Sequence, residues 1–273
     1  HLFLSLASED ASALKKALAH LPALADQDHH WLNFLRHHDE LSLKLLNRKQ
    51  REKIYRKFAR RPEMQIFGNG IRRRISPMFD GNRKLIELAY SLLFSLPGTP
   101  LLRYGDEIGM GDDLELPART SLRTPMQWSS GLNSGFSAAP EAVLVQPVVG
   151  RGKFSYRKVN VISAQNKPNS LLNWMERIIT TRKQTPEIGL GSMKILRSHK
   201  ALLIHMCEWR NVTMVFIHNF SRKKIMISRK DLHLNGNTFL SIFCNRTIRE
   251  DRRRLVIEPY AYQWLRLEEL PTE

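Results

Sequence analysis

The chain has 273 residues, 42% of them hydrophobic and 25% charged, with a formal net charge of +17. That is enough apolar sequence for one large domain, or for part of a large domain with a smaller companion, and no repeat or low-complexity segment argues against a folded chain. No stretch approaches the roughly 18 consecutive apolar residues of a membrane span, and the first residues do not read as a signal peptide, so the expected location is cytoplasmic, away from any membrane.

The charge is uneven: residues 1–150 hold 20 Lys and Arg against 16 Asp and Glu, whereas residues 151–273 hold 23 against 10. The excess sits in short clusters, Arg222-Lys223-Lys224, Arg229-Lys230 and Arg252-Arg253-Arg254. They lack the helical stripe and interleaved aromatics of a nucleic-acid binder, so the reading is a solvated loop surface with no specific nucleic-acid partner. A basic, non-catalytic module that binds a polyanion or another protein is the rival class. Cys207 and Cys244 both lie in apolar, strand-like runs and read as buried small side chains, without a disulfide or a metal.

In chain order, Leu4, Ala7, Ala11, Leu14 and Leu18 recur at helical spacing over residues 3–20, with Ser8 and Asp10 as candidate caps. The loop 22–28 leads to a short apolar strand at 31–36, followed at once by the polar cluster His37-His38-Asp39-Glu40. Residues 48–59 read as a charged helix with Ile54, Tyr55 and Phe58 on its buried side. After Gly68-Asn69-Gly70 and Asp80-Gly81-Asn82, residues 80–95 read as a strongly apolar helix, and Pro97-Gly98-Thr99-Pro100 then introduces a strand at 101–104. Strand, polar loop, helix, strand, polar loop is the rhythm of a parallel sheet. A long irregular stretch from 109 to about 137 follows, then a helix over 168–184 capped by Asn169 or Ser170. From about residue 190 the texture changes to alternating β segments at 201–207, 213–219, 224–228, 238–244 and 260–267, with Asn211, Asn235-Gly236-Asn237 and Glu258-Pro259 as corners.

The cluster after the first strand has a chemical use. Glycosyl transfer passes through an oxocarbenium-like state, and a fixed carboxylate such as Asp39 can stabilise its charge while a neighbouring imidazole, His38, hydrogen-bonds sugar hydroxyls. Glu40 and Arg36 would shape the rim of such a site. A His-rich surface loop is the plain alternative for the octapeptide on its own.

Phe34-Leu35-Arg36-His37-His38-Asp39-Glu40-Leu41 resembles the signature of trehalose synthases (maltose α-D-glucosyltransferases) of the α-amylase superfamily, with His37 where that family has Asn. Gly98-Thr99-Pro100-Leu101-Leu102-Arg103-Tyr104-Gly105-Asp106-Glu107 resembles the last barrel strand of the same superfamily, with Arg103 in place of a Tyr. Arg123-Thr124-Pro125-Met126-Gln127-Trp128 with Asn133-Ser134-Gly135-Phe136-Ser137 is similar to a third segment, as are shorter stretches such as Gly70-Ile71-Arg72-Arg73-Arg74. The resemblance implies an α/β fold: the last portion of a (β/α)8 barrel, about two βα units, over residues 1–189, followed by a small antiparallel β-sandwich over 190–273. It implies Asp39 as catalytic stabiliser, His38, Glu40 and Arg123 as substrate-binding residues, and a maltose- or trehalose-type disaccharide as ligand. Asp106 and Glu107 read as loop-fixing acceptors, Met126 as core, and Trp128 as core or sugar-stacking platform in equal measure. An acid-Arg-acid-Gly stretch precedes the third segment in the family, where this chain has Ala118-Arg119-Thr120-Ser121. An acid that follows the His-Asp loop is Lys44 here.

A retaining mechanism needs a nucleophile and a general acid besides the stabilising residue. In the family both precede the His-Asp loop, and Glu9 and Asp10 match neither, so the expectation is a C-terminal portion that is inactive alone. Its partner would be a separately encoded N-terminal half or a maltokinase. No cofactor is implied, although the family's N-terminal part leaves room for a calcium ion, and Asp106, Asp112 and Asp113 are not spaced as a diagnostic cation site. An α-glucosidase-type hydrolase is the competing carbohydrate reading.

Overall fold

The opening apolar run forms two helices, Leu2–Ser8 and Ser12–Ala19, instead of one. Glu9 adopts a left-handed backbone (φ 55°), and the Asp10 carboxylate then accepts the Ser12 N–H at 2.8 Å, which restarts the chain as a second helix. The computed structural model describes residues 1–21, 29–232, 238–246, 249–251 and 254–268. The expected loop over 22–28, the turn at 235–237, and Arg252 and Arg253 lie outside the described residues. The chain divides into two compact units that alternate along the sequence: His1–Asn33, Glu87–Pro100 and Ile178–Glu273 form the first, Phe34–Ile86 and Leu101–Arg177 the second. No helix among the described residues is long and apolar enough to cross a membrane.

The first unit is dominated by antiparallel β structure. Strands Thr238–Cys244, Tyr262–Glu268, Val212–Asn219, Leu202–Trp209 and Ser192–Ile195 form one sheet in that spatial order. A second sheet pairs Arg249–Asp251 with Arg254–Ile257 and the latter with Ile225–Ser228. Their inner faces share one core, with Leu202, Ile204, Val215, Ile217 and Leu265 from the first sheet packed with Ile225, Ile227, Leu255 and Ile257 from the second. The alternating pattern read from the sequence thus forms a sandwich. The hairpin Leu202–Trp209/Val212–Asn219 turns on Arg210 and Asn211, both at positive φ (48° and 64°), the twist that two-residue hairpin loops require. Strands at 192–195, 249–251 and 254–257 are additional to those expected. Cys207 is buried, but Cys244 is only half-buried, and both thiols are free.

Two short strands in this unit, Leu32–Asn33 and Thr99–Pro100, pair in parallel. The expected strand at 31–36 is thus cut to two residues, and the strand expected at 101–104 lies at 99–100 instead. Gly98 explains the shift. Its φ is 96°, and a Cβ there would meet the Trp31 carbonyl oxygen at 2.4 Å, so glycine lets the two backbones close until Thr99 donates to Trp31 at 2.7 Å. Arg182 fixes the turn by donating to the carbonyls of Phe94, Leu96 and Gly98.

The second unit is built from helices and loops. Helix Arg48–Phe58 starts at a reciprocal capping box between Asn47 and Gln50, and buries Ile54 and Phe58 as its spacing predicts. Helices Arg83–Ser95 and Leu171–Lys183 begin here, the first on Asn82 Oδ1, the second with the Ser170 hydroxyl accepting the Asn173 N–H at 3.1 Å. Three two-residue strands, Leu41–Ser42, Gly70–Ile71 and Gln65–Ile66, form a small antiparallel sheet directly after the His-Asp loop. The irregular stretch after Gly109 contains only short 3-10 turns until Val161–Gln165.

A candidate sugar-transfer site on the His-Asp loop

Asp39 sits in a turn clamped by arginines. Asp39 accepts from Arg123 Nη2 through Oδ1, and Arg119 Nε stands 3.7 Å from the same oxygen. His38 Nε2 lies 3.8 Å from Oδ2, with its own ring well exposed. Glu40 accepts from Arg119 through both oxygens, at 2.7 and 3.4 Å. The loop is shaped locally: the Asp39 N–H donates to His37 Nδ1 at 3.0 Å, so the residue that replaces the family's Asn still supplies a turn-closing acceptor.

Electrostatics follow from this geometry. Desolvation pushes the Asp39 carboxyl up, but the Arg123 hydrogen bond and the charges of Arg119 and His38 outweigh it, so Asp39 stays below the usual carboxylate range. The Arg119 hydrogen bond holds Glu40 below its usual value against weaker desolvation. Asp39 is therefore ionised at neutral pH and keeps a side chain 24% exposed. A fixed, ionised, partly open carboxylate is what stabilising a cationic sugar requires.

Arg119 is the residue that sequence reading left aside. It stands at the Arg position of the acid-Arg-acid-Gly stretch, and that match was the available signal. The flanking acids are gone, yet the guanidinium reaches Asp39 and Glu40 and lies over the Phe67 ring at 5.2 Å. Its backbone is placed by Arg72, which donates to the carbonyls of Leu114, Leu116 and Ala118 at 2.8–3.1 Å. Arg36, expected on the rim, is instead buried. Its guanidinium donates to the Asp39 carbonyl from below the loop, because the polar backbone of a tight turn needs an internal donor more than the surface needs another charge.

Beside the clamp lies a cavity of about 720 Å³ walled by Tyr104, Glu107, Arg123, Met126, Trp128 and Phe136. Arg123 belongs to both places. The two readings of Trp128 separate here: its ring is half-exposed and faces the cavity, whereas Met126 is buried against Ile108 and Met110. The third segment supports this wall from behind. Buried Gln127 donates to the carbonyls of Phe154 and Val159, Ser134 donates to the Met126 carbonyl at 3.0 Å, and Asn133 ties the carbonyls of Ser137 and Ala139. Glu107 lines the cavity as well as ending the strand-like segment, and burial raises its carboxyl above the usual value. Asp112 is engaged by Arg73 at 3.0 and 3.1 Å and by the Arg74 N–H at 2.7 Å. Among the described residues no three His, Cys, Asp or Glu side chains gather as a metal site.

The arginine-clamped His-Asp turn stands beside an aromatic-walled cavity, and comparison with known proteins gives the family. Residues 37–191 match the α-amylase catalytic domain, and the chain belongs to that family. It is similar to the trehalose synthase of Thermus thermophilus, 38% identical over 223 residues that cover 81% of this chain and 23% of that protein. It is also 38% identical to the trehalose synthase/amylase of Mycolicibacterium smegmatis, over 76% of this chain and 35% of that one. The chain thus spans well under half the length of these relatives. The crystal structure of an α-amylase from H. orenii superposes with a TM-score of 0.68 at 18% identity, covering 98% of this chain and 47% of the other, which establishes the fold.

Proposed function

We propose that this chain is the C-terminal part of a trehalose synthase, which interconverts maltose and trehalose by breaking one α-glucosidic bond and re-forming it within the site. Asp39 stabilises the oxocarbenium-like state. His38 and Glu40 contact the reacting sugar, Arg123 closes over the second sugar, and Arg119 holds Asp39 and Glu40 in place. The nucleophile and general acid come from outside these 273 residues, so the isolated chain is inactive. Residues 1–189 are the barrel-derived part and 190–273 the β-rich C-terminal domain. The two free thiols suit a cytoplasmic setting.

The observation that carries this reading is the double placement of Arg123, bonded to Asp39 and lining the aromatic cavity. A sugar held there would lie next to the stabilising carboxylate, where binding is converted into orientation. The 38% identity to one protein named trehalose synthase and one named trehalose synthase/amylase supports the isomerase reading.

The test is product analysis with maltose. The purified chain alone should give no turnover, and the chain completed with a relative's N-terminal segment should give trehalose, which Asp39→Asn should abolish. Glucose as the sole product would move the assignment to an α-glucosidase. Turnover by the chain alone would overturn it.

A further inference from the structure

Helix Arg48–Phe58 carries more positive charge than its own stability calls for. Residues 48–61 hold eight Lys and Arg against the single acid Glu52. Ile54 and Phe58 turn inward, while Lys49, Lys53, Arg56 and Arg60 are exposed. Their spacing of four, three and four sets them in one row on the outer face, roughly 16 Å long at about 1.5 Å per residue. Arg60 follows the last turn and is held to it, its Nε donating to the Arg56 carbonyl at 2.9 Å, and Arg56 Nε donates in turn to the Glu52 carbonyl at 3.4 Å. The two nearest acids are taken by other residues, Glu52 by Arg48 and Glu63 by Arg61, each at 2.9 Å. Among the described residues the four cations of the row thus form no ion pair.

This arrangement works against the helix. Its first turn has no acid, and Arg48 and Lys49 put positive charge where the helix dipole is itself positive. Lys49 and Lys53, and again Arg56 and Arg60, are like charges four residues apart, which repel on a helix surface. The buried Ile54 and Phe58 and the capping box of Asn47 and Gln50 hold the helix in spite of this. A local rule broken without gain to the fold points to a partner that supplies the missing charge. Beside the row, Glu52, Tyr55, Arg56, Arg60 and Gln65 wall a groove of about 510 Å³. Arg56 and Arg60 belong to the row and to the groove, and the half-buried Tyr55 has a hydroxyl without a hydrogen-bond partner.

We propose that the outer face of helix Arg48–Phe58 binds single-stranded nucleic acid without regard to sequence. Its phosphates follow Lys49, Lys53, Arg56 and Arg60, and one base enters the groove against Tyr55. The helical stripe that the clusters at 222–254 lack is present here. A linear row of cations matches a phosphate backbone and reads no base edges, so the binding is sequence-tolerant. The groove decides between polyanions, because an aromatic wall beside a basic row serves a stacked base, which inorganic polyphosphate does not have. None of these residues belongs to the His-Asp clamp, so the site stands independently of the sugar-transfer reading.

The experiment is fluorescence anisotropy of a labelled oligothymidine of about twelve nucleotides, titrated with the full chain over a series of NaCl concentrations. Micromolar binding is expected, with log Kd rising against log salt at a slope of about 2–3, from three or four phosphate contacts at about 0.7 each. Changing Lys49→Gln, Lys53→Gln, Arg56→Gln and Arg60→Gln together should weaken binding at least tenfold and bring the slope below about 1, with helicity checked by circular dichroism. If that variant does not fold, Lys49→Gln with Lys53→Gln should still flatten the slope by about 1. Tyr55→Leu should weaken the oligonucleotide about fivefold and leave polyphosphate unchanged. The control Lys223→Gln with Lys224→Gln should match the wild type. No binding, or a loss shared equally by the control, overturns the site. Polyphosphate binding as tightly as the oligonucleotide overturns the role of the base, and tighter binding of a duplex of the same length overturns the single strand.

Discussion

The β-sandwich and the His-Asp loop region use opposite means to fix their backbones. In the sandwich, the backbone satisfies itself through antiparallel ladders, and side chains contribute an apolar core in which Val215, Ile217 and Leu255 are fully buried. In the loop region few ladders exist. There the backbone carbonyls are met by arginines, with Arg72 on three carbonyls of the 114–118 loop, Arg74 on Tyr104, Arg103 on Leu122 and Arg36 on Asp39. Apolar packing specifies a surface broadly, whereas a guanidinium fork specifies particular atoms. Loops that must present charged groups to a sugar need the second kind of fixing. Several arginines of the first half are therefore internal scaffolding, while cations of the second half such as Arg222 and Lys224 are exposed and pair with Glu9 and Glu258.

The contrast can be broken first in the sandwich. Trp264→Ala should remove about 3–5 kcal/mol of stability, because it empties a fully buried site and strips the Ser91 hydroxyl of the indole N–H it accepts at 3.0 Å, and urea unfolding would read this directly. In the loop region, Asp39→Asn should leave the melting temperature nearly unchanged while lowering turnover of the completed enzyme by about 10²–10³. A large stability loss there would mean that Asp39 is structural.

A smaller effect separates the units by pH. His205 and His218 are fully buried and stacked, with His205 Nε2 bonded to the Ser95 carbonyl at 3.0 Å and His218 Nε2 to the Ser91 hydroxyl at 3.1 Å. Burial lowers His205 to about 4 and His218 well below its ordinary value, the latter also through His205. The unfolded chain therefore binds protons that the folded chain refuses. Stability should be intact above pH 6.5 and fall as the pH drops toward 4, by roughly 3 kcal/mol for His205 alone. His205→Phe should flatten that fall in an acid-denaturation series. Arg119→Ala should raise the Asp39 and Glu40 carboxyls toward their usual values in an NMR titration. The smallest change belongs to Arg48→Ala, which loses an exposed i,i+4 pair with Glu52 and should shift stability by less than about 0.5 kcal/mol.

Much of this was legible along the chain. The segments at 202–209, 212–219 and 262–268 give the strands because apolar, β-branched and aromatic runs bounded by turn signals suit a pleated surface, and the first two are buried on both faces; the helix at 48–58 leaves its own period. The strand Arg254–Ile257 was missed because its start is an arginine run that reads as a loop. Of the candidate site, Asp39, His38, Glu40 and Arg123 could be named in advance, since the His-Asp and Arg-Thr-Pro-Met-Gln-Trp segments carry them. Arg119 carried only a weak signal, its place in the acid-Arg-acid-Gly stretch, because both flanking acids are absent and its partners lie 79 and 80 positions away.

The sequence by itself determined the family, the sandwich strands and the residues that crowd the His-Asp turn, because each of these is written in local spacing or in contiguous segments. Tertiary structure alone decided that Arg36 turns inward instead of lining a rim, that Trp128 stands half-exposed on the cavity wall while Met126 is buried in it, and that three arginines lie beneath one loop. Those outcomes depend on which backbone carbonyls lack partners once the chain has folded, a quantity that exists only in three dimensions.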